Sequence, residues 1–325
     1  VTRFNLGQTS NAQNSWFVEL QDARVAGESR RAIPPVNEQA DGTVFADQLD
    51  IHQAFWDRAL AGGRLRVGRQ KFNLGDSRLV ASLEWVNTAR VHDGLRFTFG
   101  DRDRREFDLF ASTLVAVDPD DFNDHAPIGS RYLDSDFHGI YVTDNASLAS
   151  AELHYWFLYR RNTAFGDAVE TVGLRYRGKT GAWRPDLQFA WQGGEFADRD
   201  HSGWMIHAGL RREFGNQTLG IAYNLASGDV NQADGKHGTF DNLFPLNHPY
   251  YGYMDLFSLQ NLRNFEVSYR RRLTGELSLY LSLNDFRLAE SADAWYNAGL
   301  APIRFAPDGA DRHVGTELDV AIQGK

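Results

Sequence analysis

Cysteine is absent from the 325 residues of this chain, and methionine occurs only twice. Without cysteine the chain forms no disulfide and offers no thiolate to a metal ion. It also has no run of about 18 apolar residues, which excludes a transmembrane helix. The opening sequence, VTRFNLGQTS, lacks the basic and apolar regions of a signal peptide, so we expect either a mature chain or one without its true N-terminus.

Basic residues are too few to suggest a nucleic-acid partner. The 34 lysines and arginines are outnumbered by 43 acidic residues, for a formal net charge of -9, and no basic tract dominates. Motifs of the HExxH and GxSxG types are missing, so we expect no catalytic site and no cofactor. Two acidic stretches, DVNQADG (229–235) and DPDDFNDH (118–125), resemble calcium-binding loops but lack the full ligand spacing, and solvated turns are the favoured interpretation.

Alternation of apolar and polar residues is what the sequence does contain. In VETVGLRYRGK (169–179), the residues Val172, Leu174 and Tyr176 alternate with Gly173, Arg175 and Arg177. Successive side chains of a strand point to opposite faces, so this strand has one apolar and one cationic face. Similar segments recur along the whole chain and predict strands nearly throughout. A mean hydropathy of -0.46 agrees with a transmembrane β-barrel, whose apolar residues occupy alternate positions.

The connections between these strands alternate between short turns and long polar loops, a pattern typical of outer-membrane barrels. The short turns lie near 11–14, 61–63, 101–105, 146–150, 180–182, 215–217 and 274–276. The long links lie near 30–46, 78–90, 118–135, 231–260 and 291–311, with two of moderate length near 163–167 and 196–202. A soluble β-sandwich, with the aromatic residues packed in its core, is the alternative.

We therefore predict an all-β fold: an antiparallel transmembrane β-barrel that forms one domain over residues 1–325. About fifteen strands are readable, and single-chain bacterial barrels usually have an even number. We expect 16 to 18 strands in a complete barrel, with at least one upward strand before Val1 and a further pair after Lys325.

Arginine dominates the faces that a barrel would turn towards its lumen. By parity the lumen receives Arg64, Arg66, Arg96, Arg160, Arg175, Arg177, Arg211, Arg270 and Arg272. The acids among them are Glu19, Glu152, Glu266, Glu317 and Asp319, and we expect the remaining acid to lie in loops away from the pore wall. A guanidinium group binds a carboxylate with two hydrogen bonds and keeps its charge. The arginines either form an anion-conducting surface or brace the barrel through ion pairs, and the two roles can coexist.

Two segments resemble signatures of the alginate export porin family. They are RVGRQKFNLGDSRLVASLEWVNTARVHDGLRFTF (66–99) and TFDNLFPLNHPYYGYMDLF (239–257), about a sixth of the chain. The resemblance implies an 18-stranded outer-membrane barrel with an arginine-rich constriction for an anionic polysaccharide, a polyuronate. The polar positions that match the family pattern are Arg69, Gln70, Asp76, Arg78, Asn87, Arg90, Asp93 and Arg96. On this basis Arg78 and Arg90 form the constriction and Asp76 and Asp93 orient them; the alternative is a rigid loop held by internal salt bridges.

The predicted function is an outer-membrane porin that passes an anionic solute, such as the polyuronate alginate, through an arginine-lined lumen. The rival hypothesis is a barrel sheath that holds a partner, such as a cytochrome or a lipoprotein, in the outer membrane. The expected surroundings are outer-membrane lipid and lipopolysaccharide, with a periplasmic or envelope protein as a further candidate partner.

Overall fold

The computed structural model describes residues 1–11, 13–24, 46–118, 122–123, 135–163, 165–305 and 311–324. These residues form strands and no helices, and accordingly no helix among them is long and apolar enough to cross a membrane. The strands are β1 (Thr2–Asn11), β2 (Asn14–Ala23), β3 (Asp47–Leu60), β4 (Gly63–Gln70), β5 (His92–Asp101), β6 (Arg105–Leu114), β7 (Ser135–Asp144), β8 (Ala151–Asn162), β9 (Asp167–Gly178), β10 (Trp183–Phe196), β11 (Arg199–Phe214), β12 (Gln217–Ala226), β13 (Lys236–His237), β14 (Leu262–Arg272), β15 (Leu277–Leu288), β16 (Ala294–Tyr296), β17 (Pro302–Phe305) and β18 (His313–Gly324).

Fifteen of these strands follow one another in a continuous antiparallel meander, which confirms the fifteen strands expected from the sequence. The meander runs from β1 through β12 and then through β14, β15 and β18. The two-residue strand β13 adds to β11 in parallel, and β16 pairs with β17 in a separate hairpin. Each strand pairs with its sequence neighbour because short hairpins favour antiparallel pairing.

All the long connections lie at one end of the sheet, as the sequence predicted, and the short links 163–166 and 197–198 lie at that end too. Five links of more than 15 residues lie at this end: 24–46, 71–91, 115–134, 227–261, and 289–312, which contains β16 and β17. The link near 196–202 was predicted wrongly to be of moderate length. It is a two-residue turn of Ala197 and Asp198, both with positive φ (50° and 58°). Because the turn is this short, β10 and β11 extend into residues that the sequence pattern assigned to the link.

The apolar faces of the strands point outwards. Leu174 of β9 is 48% exposed and Phe189 of β10 is 46% exposed, while Arg175 and Gln188 on the opposite faces are buried. A soluble sandwich would bury the apolar face, so the soluble alternative is wrong. An outward apolar band suits lipid, and because outer-membrane barrels have long extracellular loops, we assign the opposite end of the sheet to the periplasm.

Two extracellular loops fold into the lumen, and we call residues 71–91 the fold-back loop and residues 227–261 the second lumen loop. Val80 and Phe244 form a parallel bridge between them, and the amide of Ala81 donates to the carbonyl of Phe244 at 2.8 Å. Their buried side chains pack against inward rings of the wall such as Phe137. The expectation of a polar lumen therefore fails in the extracellular half, because the loops exclude water there and favour apolar contacts.

Candidate functional site: a charged periplasmic vestibule

A cavity of about 1230 Å³ occupies the periplasmic half of the lumen, and we call it the vestibule. Its walls are the inner faces of β8 to β12, β14 and β15, close to the short turns. Its ceiling combines Asp76 and Arg78 of the fold-back loop with Pro249 and Tyr250 of the second lumen loop. The hydroxyl of Tyr250 donates a hydrogen bond to the carbonyl of Asp76, so the two loops close the ceiling together.

Positive charge exceeds negative charge on the walls of the vestibule. Seven cationic and five acidic side chains line it, although the whole chain has a net charge of -9. The cations are Arg78, Arg175, Arg177, Lys179, Arg184, Arg211 and Arg270, and the acids are Asp76, Glu152, Asp186, Glu213 and Glu266. Lys179 and Arg184 were not among the predicted lumen residues, and both lie beside the predicted turn at 180–182.

Arg175 is a bracing residue. Its guanidinium donates two hydrogen bonds to Asp186 of the neighbouring strand, at 2.8 and 2.6 Å, and lies 3.2 Å from Asp76 in the ceiling. Only 4% of Arg175 is exposed. Arg177, two residues further, is half exposed and forms one 2.9 Å hydrogen bond with Glu152. The two arginines of this strand therefore differ in role: Arg175 joins wall to ceiling, and Arg177 presents free donors to the cavity.

Arg211 and Arg270 face the vestibule without an ion-pair partner. In the described part of the chain no carboxylate lies within 4 Å of either guanidinium. Arg270 lies over the ring of Tyr280, 5.4 Å from its centroid. Arg211 is directly opposite Arg184 on β10 and Gly220 on β12. Their guanidinium donors are therefore not taken up by an ion pair within the described part of the chain.

The predicted pair of Asp76 and Arg78 is brought together in the ceiling. Arg78 donates to Asp76 at 3.4 Å and to the hydroxyl of Tyr251 at 2.8 Å. Its guanidinium also lies 4.1 Å from the centre of the Tyr250 ring. Burial lowers the pKa of Arg78, but the contacts with Tyr251 and Asp76 outweigh it and hold the pKa above its ordinary value.

The second predicted pair, Arg90 and Asp93, is not formed. Arg90 donates to the backbone carbonyl of Ala81 at 2.9 Å and lies over the ring of Phe244, and its burial lowers its pKa to about 10. Asp93 instead accepts two hydrogen bonds from Arg69, at 2.9 and 3.0 Å. The prediction fails because Asp93 is directly opposite Arg69 in the register of β4 and β5.

The remaining predicted arginines lie outside the vestibule. Arg66 binds Asp57 and Arg96 binds Asp108 through two hydrogen bonds each, and Arg160 is 3.0 Å from both Asp167 and Asp241. Arg64 and Arg272 are exposed near the short turns.

Several acids therefore lie on the inner wall, and the prediction that excess acid stays in the loops is wrong. Asp57, Asp108 and Asp186 all have the inward parity of their strands, so the parity rule applied to acids would have found them. Of the predicted inward acids, Glu19 lies 3.2 Å from Lys71, and Glu317 and Asp319 accept backbone amides of the second lumen loop.

Neither acidic stretch forms a metal site in the described residues. Across those residues no group of three or more His, Asp or Glu side chains is arranged to hold a metal ion. In DVNQADG, the Asp229 carboxylate accepts the amide of Asn231 at 3.1 Å, as in a hydrogen-bonded turn. Most of DPDDFNDH lies outside the described residues.

Comparison with known proteins identifies relatives by family and by fold. Residues 3–324 match the family described as alginate export, and no curated protein sequence matches this chain. The structure is similar to Pseudomonas aeruginosa OccK9 (OpdG), with 12% identity, a TM-score of 0.63, and coverage of 98% of this chain and 80% of that one.

Two further structures share the fold. Pseudomonas aeruginosa OpdK, solved with vanillate, is 11% identical with a TM-score of 0.60, over 90% of this chain and 78% of that one. The anion-selective porin from Comamonas acidovorans is 10% identical with a TM-score of 0.54, and the match covers 99% of this chain and 88% of that one. The relatives are porins of the bacterial outer membrane, and the match over nearly its whole length shows that this chain belongs to the alginate export family.

Proposed function

We propose that this chain is a porin that passes an anionic solute through the vestibule, and that the solute is a polyuronate such as alginate. The observation that carries the proposal is the placement of Arg211 and Arg270 on the vestibule wall with no carboxylate in ion-pair distance among the described residues. A guanidinium with free N–H groups can donate two parallel hydrogen bonds to the carboxylate of a uronate. Ion-paired arginines such as Arg175 keep the wall rigid around these two.

The vestibule has room for a saccharide. Its volume of about 1230 Å³ lies above the 300–1,000 Å³ usual for small-molecule pockets. Hydroxyl groups of a sugar would find donors and acceptors in Ser268 and Gln323 on the same walls. The names of two structural neighbours, an anion-selective porin and a porin solved with vanillate, support an anionic solute.

The packing of the lumen favours a porin over a sheath. A sheath needs a wide lumen for its partner, whereas rings of the chain's own loops, such as Phe240 and Tyr251, are buried in the extracellular half. A solute must pass beside the ceiling, where Asp76, Arg175 and Tyr250 meet, and we propose this junction as the constriction.

Single-channel recording in planar bilayers tests the proposal. The wild-type protein should show a reversal potential of the sign for anion selectivity in a salt gradient, and oligouronates added on the periplasmic side should block the current. A neutral oligosaccharide of equal length is the matched control and should block far less. Cation selectivity, or equal block by the two sugars, would contradict the proposed solute class.

A further inference from the structure

A cationic patch lies on the outer face of the barrel, far from the vestibule. On β14 the outward residues Phe265 and Val267 are 47% and 41% exposed, and Arg263 and Arg271 lie on the same face at either end of this apolar stretch. The two arginines are about 27 Å apart along the strand, which strand tilt reduces to roughly 20 Å across a membrane. Arg263 follows the second lumen loop, so it lies at the extracellular boundary of the apolar band.

The neighbouring strands place further cationic or basic groups beside Arg263. Arg287 of β15 is directly opposite Arg263, and His313 of β18 is directly opposite Arg287. Asp285 accepts a 2.8 Å hydrogen bond from Arg287 and lies 3.1 Å from His313. Arg263 has no carboxylate within 4 Å in the described part of the chain. Like charges directly opposite each other destabilise a sheet, so this arrangement is suited to an anion that lies between the two guanidinium groups.

The patch is confined to one sector of the rim. On the other side of the barrel the outward, extracellular ends of the strands carry exposed acids: Glu170 of β9, Glu195 of β10 and Asp200 of β11. A general attraction for the membrane surface would distribute cations around the whole circumference. The outward Arg161 of β8 is held by Asp136 at 2.6 Å, so the concentration of Arg263 and Arg287 at one place, just above the apolar band, favours a defined headgroup.

We propose that Arg263 and Arg287, with His313 beside them, bind a phosphate group of lipopolysaccharide in the outer leaflet. Phosphate is the anion found at this depth of the outer leaflet, and arginine binds phosphate oxygens through two parallel hydrogen bonds. The site holds one lipid against β14 and β15, and it is independent of the solute that the porin carries.

Native mass spectrometry of the detergent-purified barrel with diphosphoryl lipid A tests the site. The double variant Arg263→Gln with Arg287→Gln should bind lipid A about tenfold more weakly or worse, because two charge-assisted contacts are lost. Arg271→Gln is the matched control, since it lies on the same strand and face at the periplasmic end, and its affinity should equal that of the wild type. Heat-modifiability on gels checks that every variant is folded.

Two further arms separate the sources of phosphate. Lipid A without its phosphates should bind wild type no better than it binds the double variant, and inorganic phosphate should compete only at far higher concentration than lipid A. Equal loss of affinity in Arg271→Gln, or unchanged affinity in the double variant, would overturn the site. Full competition by inorganic phosphate at the concentration of the lipid would overturn the assignment to lipopolysaccharide.

Discussion

Reversing the charge of Arg211 and Arg270 should reverse the ion selectivity of the vestibule. The variant Arg211→Glu with Arg270→Glu leaves five cationic and seven acidic side chains on its walls in place of seven and five. The control variant is Arg212→Glu with Arg271→Glu. These residues are adjacent in sequence but have outward parity, and Arg212 lies over the ring of Trp183 on the outer face. Both variants change the total charge of the protein equally, so they differ only in whether the change lies on the inner or the outer face of the sheet.

The size of the effect follows from the dimensions of the cavity. An excess of two positive charges in about 1230 Å³ corresponds to a counter-ion concentration of about 3 M if the cavity is neutralised from solution. That concentration greatly exceeds a bulk salt concentration of about 0.1 M. The cavity is about 11 Å across if it is treated as a cube, and the Debye length is about 10 Å at 0.1 M but about 3 Å at 1 M. The fixed charge should therefore control selectivity in dilute salt and weaken strongly in concentrated salt.

Reversal potentials across bilayers in a tenfold salt gradient measure this selectivity. We expect anion selectivity for the wild type and the outward control, cation selectivity for the inward variant, and convergence of all three when the tenfold gradient is moved to higher concentrations that approach about 1 M. An inward variant that remains as anion-selective as the wild type would refute the reasoning. So would a change of equal size in the outward control, because the selectivity would then not arise in the vestibule.

Three further predictions concern assembly and stability. Leu174→Arg should cost about 2–4 kcal/mol and impair folding into lipid vesicles, while Leu174→Val should fold normally; equal folding yields would contradict the outward assignment. Asp186→Asn leaves Arg175 with Asp76 as its remaining acidic contact and should lower stability to urea by up to about 3 kcal/mol, against less than about 1 kcal/mol for Glu152→Gln at an exposed pair. Glu84→Gln removes the carboxylate that binds Arg3 and Lys71, and limited proteolysis should then cut the fold-back loop faster than in the wild type.

The orientation of the strands could be predicted from sequence because it depends on local parity. Val172 and Leu174 lie outwards and Arg175 inwards as expected, since alternation along one strand determines which residues share a face. Glycine in the same strand was harder to interpret. A Cβ at Gly173 would lie 2.2 Å from the Trp156 ring, so this position accepts no side chain, and alternation along the strand does not indicate that constraint.

Pairing across strands could not be predicted, because register depends on contacts between distant segments. Arg177 is directly opposite Asp186 in the register of β9 and β10. Asp186 nevertheless accepts its hydrogen bonds from Arg175, two residues earlier on β9. The inward folding of the second lumen loop was also missed. Tyr251 is fully buried in a segment that contains proline, asparagine and glycine, and these residues indicate an exposed loop. Only the barrel around it supplies the partners that bury its ring.

The bridge between the fold-back loop and the second lumen loop has a consequence for how the protein matures. Arg78 contacts Tyr251 across 173 positions of sequence. The ceiling can therefore form only after the strands between these two residues have folded. Contacts between distant residues form slowly, because a long stretch of chain must be ordered first. A barrel whose second lumen loop had not yet docked on the fold-back loop would already span the membrane while its ceiling stayed open. Quality control during outer-membrane insertion would thus encounter a leaky species, and the last quarter of the chain supplies the seal.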